Sequence, residues 1–198
     1  MIIFFFIFLI CIFLLHYYHE RMNFYKVILV ESDIDKKKYL VRDLADKQES
    51  ANLLAKINKN INTLNTYLFE NKKDEQYVKY IPYIEQLNKK LKNTIIQESA
   101  DNGIYTSYSV NKGEQIIFCL RSRNKDTLDK LHDLNLLMYV VIHEMGHVAC
   151  PEFGHTDLFK DIFAFLATEA VKLKIYKKID FNENNQEYCG LTITDSII

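Results

Sequence analysis

The stretch MYVVIHEMGHVACPEFGH, residues 138–155, decides both the expected fold and the expected chemistry. It contains His143 and His147 four residues apart, with Glu144 directly after the first histidine. On a helix, residues i and i+4 lie on one face about a turn apart, so both imidazoles can bind one metal ion. Glu144 is turned by about 100° around the helix, where it can act as a base on a metal-activated water. The spacing therefore predicts a zinc site that performs hydrolysis.

A third zinc ligand has to come from outside this helix. His155 is favoured, because Pro151 ends the helix and Gly154 allows the chain to reverse toward the metal. Glu169, on the next predicted helix, is the alternative third ligand. The predicted site contains one Zn²⁺ per chain. Glu144 is its general base, and its three ligands are His143, His147 and His155.

Other polar side chains near the motif are candidates for supporting roles. Asp157 and Glu152 are candidates for orienting a ligand histidine. Tyr105 and Tyr108 are candidates for stabilising the oxyanion of a tetrahedral intermediate, with packing as the alternative role for each. His132 lies outside the motif and is expected to be an exposed helix residue.

The composition is that of a folded globular protein. The chain has 198 residues, of which 48% are hydrophobic and 26% are charged, and this predicts one compact domain rather than a disordered chain. The net charge is -1 and no long basic run occurs, so direct binding to nucleic acid is not expected. Only five glycines and two prolines are present, which favours long helices over a many-stranded sandwich.

The hydrophobic pattern predicts an α+β fold. Apolar residues at helical spacing predict long N-terminal helices over residues 35–69 and 75–91. The segments IYTSYSV and EQIIFCLRSR, separated by an NKG turn, predict a β-hairpin beside the motif helix. The motif helix is expected over residues 128–148, and Thr156 is expected to cap the helix that follows. The YCGLTI segment near the C-terminus is expected to be extended.

The N-terminal run IIFFFIFLICIFLL, residues 2–15, carries no charged or polar side chain. It predicts a transmembrane anchor over residues 2–18, with two tyrosines at the interface. A cleaved signal peptide is the alternative, but neither a basic n-region nor a small-residue cleavage site is visible. Arg21 and Lys26 follow the run, so the positive-inside rule favours a single-pass membrane protein with its catalytic domain on the cytosolic side.

The four cysteines form no CxxC pair and their spacing does not suggest a disulfide framework. They are therefore expected to be reduced and buried. No asparagine is followed two residues later by serine or threonine, so the chain contains no glycosylation acceptor. This absence agrees with a cytosolic-side domain.

HEMGH, followed by VACPEFGH and TDLF, resembles the WLM family of zinc metallopeptidases, which is related to SprT and Spartan. Those proteins carry HExxH, a short loop, a third histidine and then an aromatic residue, which is Phe159 here. A wider resemblance, mainly over residues 101–191, is to a WLM-like group encoded by large DNA viruses and some algae. The resemblance implies a zincin-like fold, one zinc ion and peptide-bond cleavage. The expected domains are an anchor, a helical scaffold and a metallopeptidase core, at residues 1–19, 20–99 and 100–198.

These observations together predict a membrane-anchored, zinc-dependent metalloendopeptidase that acts on a protein or peptide substrate. The IYTSYSV strand is the candidate for pairing with extended substrate, as in zincins. The alternative is a non-catalytic zinc-binding structural protein of a membrane or virion that retains the zincin fold. A zinc hydrolase acting on non-peptide bonds, such as an amidase, is a third hypothesis.

Overall fold

The computed structural model describes residues 8–15, 27–100 and 105–198 of the chain. Residues 8–15 are helical. The longer α-helices are α1 (Lys47–Asn71), α2 (Ile81–Leu91), α3 (Leu134–Ala149) and α4 (Asp157–Lys172). The strands are β1 (Val27–Glu31), β2 (Lys38–Arg42), β3 (Ile95–Glu98), β4 (Tyr108–Val110), β5 (Gln115–Phe118), β6 (Gln186–Tyr188) and β7 (Leu191–Ile193). Short 3₁₀ helices lie at Glu75–Tyr80 and Lys125–Thr127.

The described strands form three small sheets. β1 and β2 form an antiparallel pair, and so do β6 and β7. The third sheet has the order β3-β5-β4, with β3 parallel and β4 antiparallel to β5. The predicted α+β class is confirmed. The more detailed prediction of a zincin-like fold is corrected, because small sheets of two and three strands beside helices do not establish that fold.

One hydrophobic core joins all four long helices. It includes Leu54 and Leu64 of α1, Leu87 of α2, Val141 of α3 and Phe163 of α4. α3 is buried on almost every side, as its continuous apolar sequence requires, and it contacts α1, α2, α4 and β4. Because the motif helix is held from several directions, the core fixes where its histidines lie.

The predicted helix over residues 35–69 is corrected at its start. Residues Lys38–Arg42 form β2, which pairs with β1, and α1 begins only at Lys47. Tyr39 and Val41 of β2 are buried. Leu40 and the leucines of α1 happen to match helical spacing, but the local alternation of Tyr39 and Val41 determines the strand.

The elements next to the motif agree more closely with the sequence. The predicted hairpin is confirmed as β4 and β5, in antiparallel register. α3 begins at Leu134 rather than near residue 128, because Asp133 caps it by accepting a 2.7 Å hydrogen bond from the Asn135 amide. Thr156 caps α4 as predicted, since its hydroxyl accepts from the Phe159 amide at 3.3 Å.

The predicted transmembrane helix over residues 2–18 is also corrected. None of the helices in the described ranges has the length and apolar character needed to cross a membrane. Of the predicted segment, the structure describes residues 8–15, which are helical. The rest of the predicted segment lies outside the described residues.

The prediction that all four cysteines are reduced is wrong for two of them. Cys119 and Cys189 form a disulfide across a sequence separation of 70 residues. Cys150 is free and buried, as expected, while Cys11 is free but exposed. Sequence spacing could not indicate the disulfide, because the fold alone brings the end of β5 next to the turn between β6 and β7.

Candidate metal centre

The last two turns of α3 position His143 and His147, and close packing against α4 fixes their rings. A Cβ atom added at Gly146 would lie 3.1 Å from Cε2 of Phe159, so the glycine permits this close approach. The Phe159 ring stacks on His147 with centroids 4.2 Å apart. It meets His143 edge-on, with centroids 5.0 Å apart. Phe159 therefore restrains the planes of both imidazoles.

The loop between α3 and α4 brings His155 beside these two rings. The Nε2 atoms of His143 and His147 are 3.1 Å apart, and His155 Nε2 lies 3.1 Å from the first and 3.2 Å from the second. Two Zn–N bonds of about 2.05 Å at a tetrahedral angle separate their nitrogens by about 3.3 Å. The triangle of nitrogens therefore fits a zinc ion with a fourth position open for water or substrate.

Electrostatics favour neutral imidazoles here. Burial lowers the pKa of His143 to about 3, and the neighbouring rings of His147 and His155 lower it further. Burial also lowers the pKa of His147 to about 4, with contributions from His155 and from the ammonium group of Lys112. Both histidines are therefore neutral at pH 7, which is the form that binds metal. The lone pairs of three imidazole nitrogens this close together repel each other, and a cation bound by all three would remove that repulsion.

Glu144 lies in the same cavity as the three histidines. Only 4% of it is exposed, and burial raises the pKa of its carboxyl group to about 7. A carboxyl group with this pKa can accept or donate a proton near neutral pH. The geometry and the pKa together suit a general acid and base.

The cavity has a volume of about 570 Å³ and is open on one side. Residues 106–109, which lead into and begin β4, line one wall. Tyr139 and Val140 of α3 line the floor one turn before the histidines, and Tyr188 and Ile193 of the C-terminal hairpin line the other side. The cavity is therefore lined by aromatic, aliphatic and hydroxyl side chains together with the three histidines and Glu144.

The wall near Tyr188 is held by a network around the disulfide. The Tyr188 hydroxyl donates to the carbonyl oxygen of Cys119 at 3.0 Å and lies 2.5 Å from the Ser107 hydroxyl. The Ser107 oxygen also accepts from the Cys119 amide at 3.0 Å. Together with the Cys119–Cys189 disulfide, these bonds fix the C-terminal hairpin against the segment that precedes β4.

Comparison with known proteins identifies viral relatives. The uncharacterized protein R325 of Acanthamoeba polyphaga mimivirus is 47% identical over 169 residues, which is 85% of this chain and 83% of that protein. The chain belongs to the same family as this mimivirus protein. Shorter matches to this chain are protein 136R of Invertebrate iridescent virus 6, 37% identical over 70 residues, and protein 042R of Invertebrate iridescent virus 3, 39% identical over 87 residues. These cover 35% and 43% of the chain, and 38% and 50% of the two proteins.

No family model matches the chain, and no solved structure matches it. The zincin-like fold expected from the WLM resemblance therefore has no solved counterpart among these comparisons. The names of the viral relatives assign no activity, so the function of this chain has to be argued from the site.

Glu169, the alternative third ligand, lies away from the three histidines and is engaged by other residues. It is 2% exposed, and its carboxylate accepts hydrogen bonds from the Tyr77 hydroxyl at 2.7 Å and from Lys172 at 2.6 Å. The Tyr77 bond ties α4 to the 3₁₀ helix at Glu75–Tyr80, while the Lys172 bond lies within α4. The three histidines come together without Glu169.

The two tyrosine candidates, Tyr105 and Tyr108, lie in different surface depressions. Tyr108 lines the cavity that contains the histidines. Tyr105 is 63% exposed and lines a different depression, together with Arg123 and Leu191. Of the two, only Tyr108 therefore remains a candidate for contact with substrate.

The remaining candidates lie apart from the triangle of nitrogens. Asp157 is fully exposed and pairs with Lys160 at 3.4 Å, and the Glu152 side chain is also exposed. The prediction that His132 is an exposed helix residue is corrected. It lies before α3, is half-buried, and accepts a hydrogen bond from the Cys189 amide at 3.2 Å.

Two contributors to the site were missed from the sequence. Tyr188 directly precedes a cysteine, and Lys112 lies in the NKG turn, but neither pattern indicates a metal site. Their roles arise from contacts with residues that are 38 to 81 positions away along the chain. Such long-range contacts leave no local periodic signal.

Proposed function

We propose that the chain is a zinc-dependent metallopeptidase that hydrolyses peptide bonds. One observation carries the proposal, which is the triangle of three imidazole nitrogens, 3.1–3.2 Å on each side, in one cavity with a buried glutamate. His143, His147 and His155 would hold the ion. When bound there, Zn²⁺ would polarise the scissile carbonyl and lower the pKa of water.

Glu144 is the residue that moves the proton. It takes a proton from the attacking water and delivers it to the amine that leaves. Its pKa near 7 makes both protonation states accessible at neutral pH. Its burial also keeps the carboxyl group away from bulk water, so the proton passes to the substrate.

The substrate of this proposal is an extended peptide. β4 pairs with β5 on one side, and the described residues place no further strand on its other side. A peptide can pair with such a free strand edge through its main chain. Residues 106–109 also line the cavity, so a peptide bound along β4 passes close to the histidines. Main-chain pairing of this kind gives affinity with little sequence selectivity.

The resemblance to WLM metallopeptidases supports the same proposal. In the family motif an aromatic residue follows the third histidine, and Phe159 occupies that position. Its ring lies 5.0, 4.2 and 5.0 Å, between centroids, from His143, His147 and His155. An aromatic residue at this position thus has a physical role, since it restrains all three ligands.

The test separates metal binding from catalysis. Glu144→Gln should bind one zinc per chain, since none of the three histidines is changed, but should lose at least a hundredfold in cleavage rate because the base is gone. Metal analysis and cleavage of a labelled unfolded protein measure the two properties. Glu152→Gln is the matched control, because Glu152 is an exposed glutamate on the adjacent loop.

Full activity in Glu144→Gln would refute the proposed role of the base. Failure of the wild-type chain to retain zinc would refute the metal site. One zinc per chain without cleavage in a broad proteomic screen would instead favour the non-catalytic, structural alternative.

A further inference from the structure

The ammonium group of Lys112 binds three successive backbone carbonyls in the loop between α3 and α4. Its Nζ atom lies 2.9 Å from the oxygen of Cys150, 2.6 Å from that of Pro151 and 2.8 Å from that of Glu152. An ammonium group has three donors, so these contacts use all of them. The three carbonyls lie in the sequence between His147 and His155, the two ligands that this loop must bring together.

Lys112 reaches the loop from a well-packed turn. The turn between β4 and β5 contains Asn111 and Lys112 with φ of 47° and 51°, a conformation that is uncommon outside glycine. Gly113 follows with φ of 106°, and a Cβ atom there would lie 2.9 Å from Cγ1 of Val148. The tip of the hairpin therefore rests on the last turn of α3, and the ammonium group is delivered from a fixed position.

The loop itself has little packing of its own. Residues 151–155 are all exposed, and Pro151 has no amide hydrogen to donate. Phe153 is 85% exposed, and its ring centroid lies 4.2 Å from the same Lys112 ammonium group. Lys112 thus combines three hydrogen bonds and one cation–π contact on a segment that the core does not hold.

We propose that Lys112 is a positioning residue for the metal centre, which holds the loop so that His155 completes the triangle of nitrogens. The inference rests on the proposed zinc site. When the ligands are ordered before metal binding, the ion does not have to order the loop. Substitution of residues that orient metal ligands typically weakens metal affinity by about 10–100-fold.

The sign of the effect distinguishes positioning from simple charge. Lys112 is a cation near the site, and its charge helps to lower the pKa of His147. If charge alone mattered, removal of that cation would strengthen the binding of Zn²⁺. If Lys112 positions His155, its removal weakens binding instead.

The experiment measures zinc dissociation constants by chelator competition on the full chain, together with the visible absorption spectrum of the Co²⁺-substituted protein. Lys112→Met should weaken zinc binding by about 10–100-fold and reduce the intensity of the four-coordinate Co²⁺ bands. Lys112→Arg, which retains several donors, should recover part of the affinity. Lys160→Met is the matched control, because it removes an exposed cation at the start of α4, and it should change the affinity less than twofold.

The outcomes separate the two proposals. Unchanged or tighter zinc binding by Lys112→Met would overturn the positioning role and leave the zinc site intact. Wild-type protein without zinc binding, or His155→Ala with undiminished binding, would instead overturn the site itself. If Lys112→Met fails to fold, the zinc dissociation constants of Lys112→Arg and Lys112→Gln are compared instead. The positioning role predicts weaker binding by the glutamine variant, and equal binding by the two would overturn it.

Discussion

At the scale of single residues, the Glu144 carboxyl group links the candidate chemistry to stability. Burial raises its pKa from 4.5 to about 7, so the folded, metal-free protein holds this proton more tightly than the unfolded chain does. Its contribution to stability is complete below about pH 4.5 and is lost as the pH rises through 7. His143 and His147 have lowered pKa values and act in the opposite sense. Their contribution to the stability of the folded, metal-free protein decreases as the pH falls below about 6.5.

Glu144→Gln should therefore stabilise the metal-free protein at alkaline pH. Glutamine resembles the protonated carboxyl group, so we expect little change at pH 4.5 and a gain of about 3 kcal/mol in unfolding free energy at pH 8. Denaturant unfolding with a metal chelator at the two pH values measures the difference. The histidines titrate equally in both proteins, so their contributions cancel in the difference between the two unfolding free energies. An equal gain at both pH values would contradict the burial argument.

Replacement of each rival third ligand gives a second test at this scale. His155→Ala should reduce zinc affinity at least a hundredfold, because it removes one of three ligands. Glu169→Gln should leave zinc affinity unchanged but lower the unfolding free energy by about 1–2 kcal/mol, since its hydrogen bonds to Tyr77 and Lys172 are buried or charge-assisted. Zinc titration and thermal unfolding of both variants measure this, and loss of zinc in Glu169→Gln would reverse the assignment.

At the scale of elements, the contact between the hairpin tip and α3 depends on a residue without a side chain. Gly113→Ala would place a methyl group 2.9 Å from one methyl of Val148 and 3.2 Å from the other, at a φ that disfavours alanine. Gly154 also has a positive φ, of 79°, but its Cβ position is open. Comparison of alanine variants at the two glycines therefore distinguishes the cost of backbone strain from the cost of steric overlap with Val148.

We expect Gly113→Ala to destabilise the metal-free protein more than Gly154→Ala does. Backbone strain should cost each variant about 1–2 kcal/mol, and overlap with Val148 should add about 1–3 kcal/mol for Gly113→Ala alone. Thermal or denaturant unfolding gives both values. Equal losses would mean that the hairpin can move away from α3, and that Lys112 does not reach the loop from a fixed turn.

Elements with strong local patterns could be predicted from the sequence, and elements defined by distant partners could not. α3 follows from its continuous apolar run and from Pro151 after it, and α4 follows from its apolar pattern and the Thr156 cap. β3 was missed because its parallel partner β5 lies about 20 residues away and its four residues carry no turn signal. The same division applies to the site, since His143, Glu144 and His147 are set by helical spacing, whereas Lys112 acts through a fold-dependent contact.

At the scale of the whole molecule, the disulfide joins Cys119 to Cys189, which are 70 residues apart in the sequence. A cross-link of this length restricts the unfolded chain and should stabilise the protein by about 4 kcal/mol. Cys119→Ser/Cys189→Ser should lose that amount in denaturant unfolding, and a reducing agent should lower the wild type to the same level. Cys11→Ser is the control, because Cys11 is free and exposed, and it should retain the response to reductant.

The buried polar network around Arg121 belongs to this scale as well, because it joins segments from both halves of the sequence. Its guanidinium donates to Glu98 at 2.8 Å, to Asp46 at 2.7 Å and to the Ser50 hydroxyl at 2.6 Å. Glu98 has a raised pKa from burial, although Arg121 opposes that shift. Breaking one partner of such a buried pair typically costs about 3–5 kcal/mol, so Arg121 contributes to uniting the two halves in one core.

The closed loop from Cys119 to Cys189 contains both helices of the candidate site, all three histidines and the exposed segment 151–155. A single cut in that segment, whether by an added protease or by a second copy of the chain, would leave two pieces still joined by the disulfide. On a non-reducing gel the cut molecule would migrate close to the intact one. Self-processing of this protein would therefore become visible only after reduction.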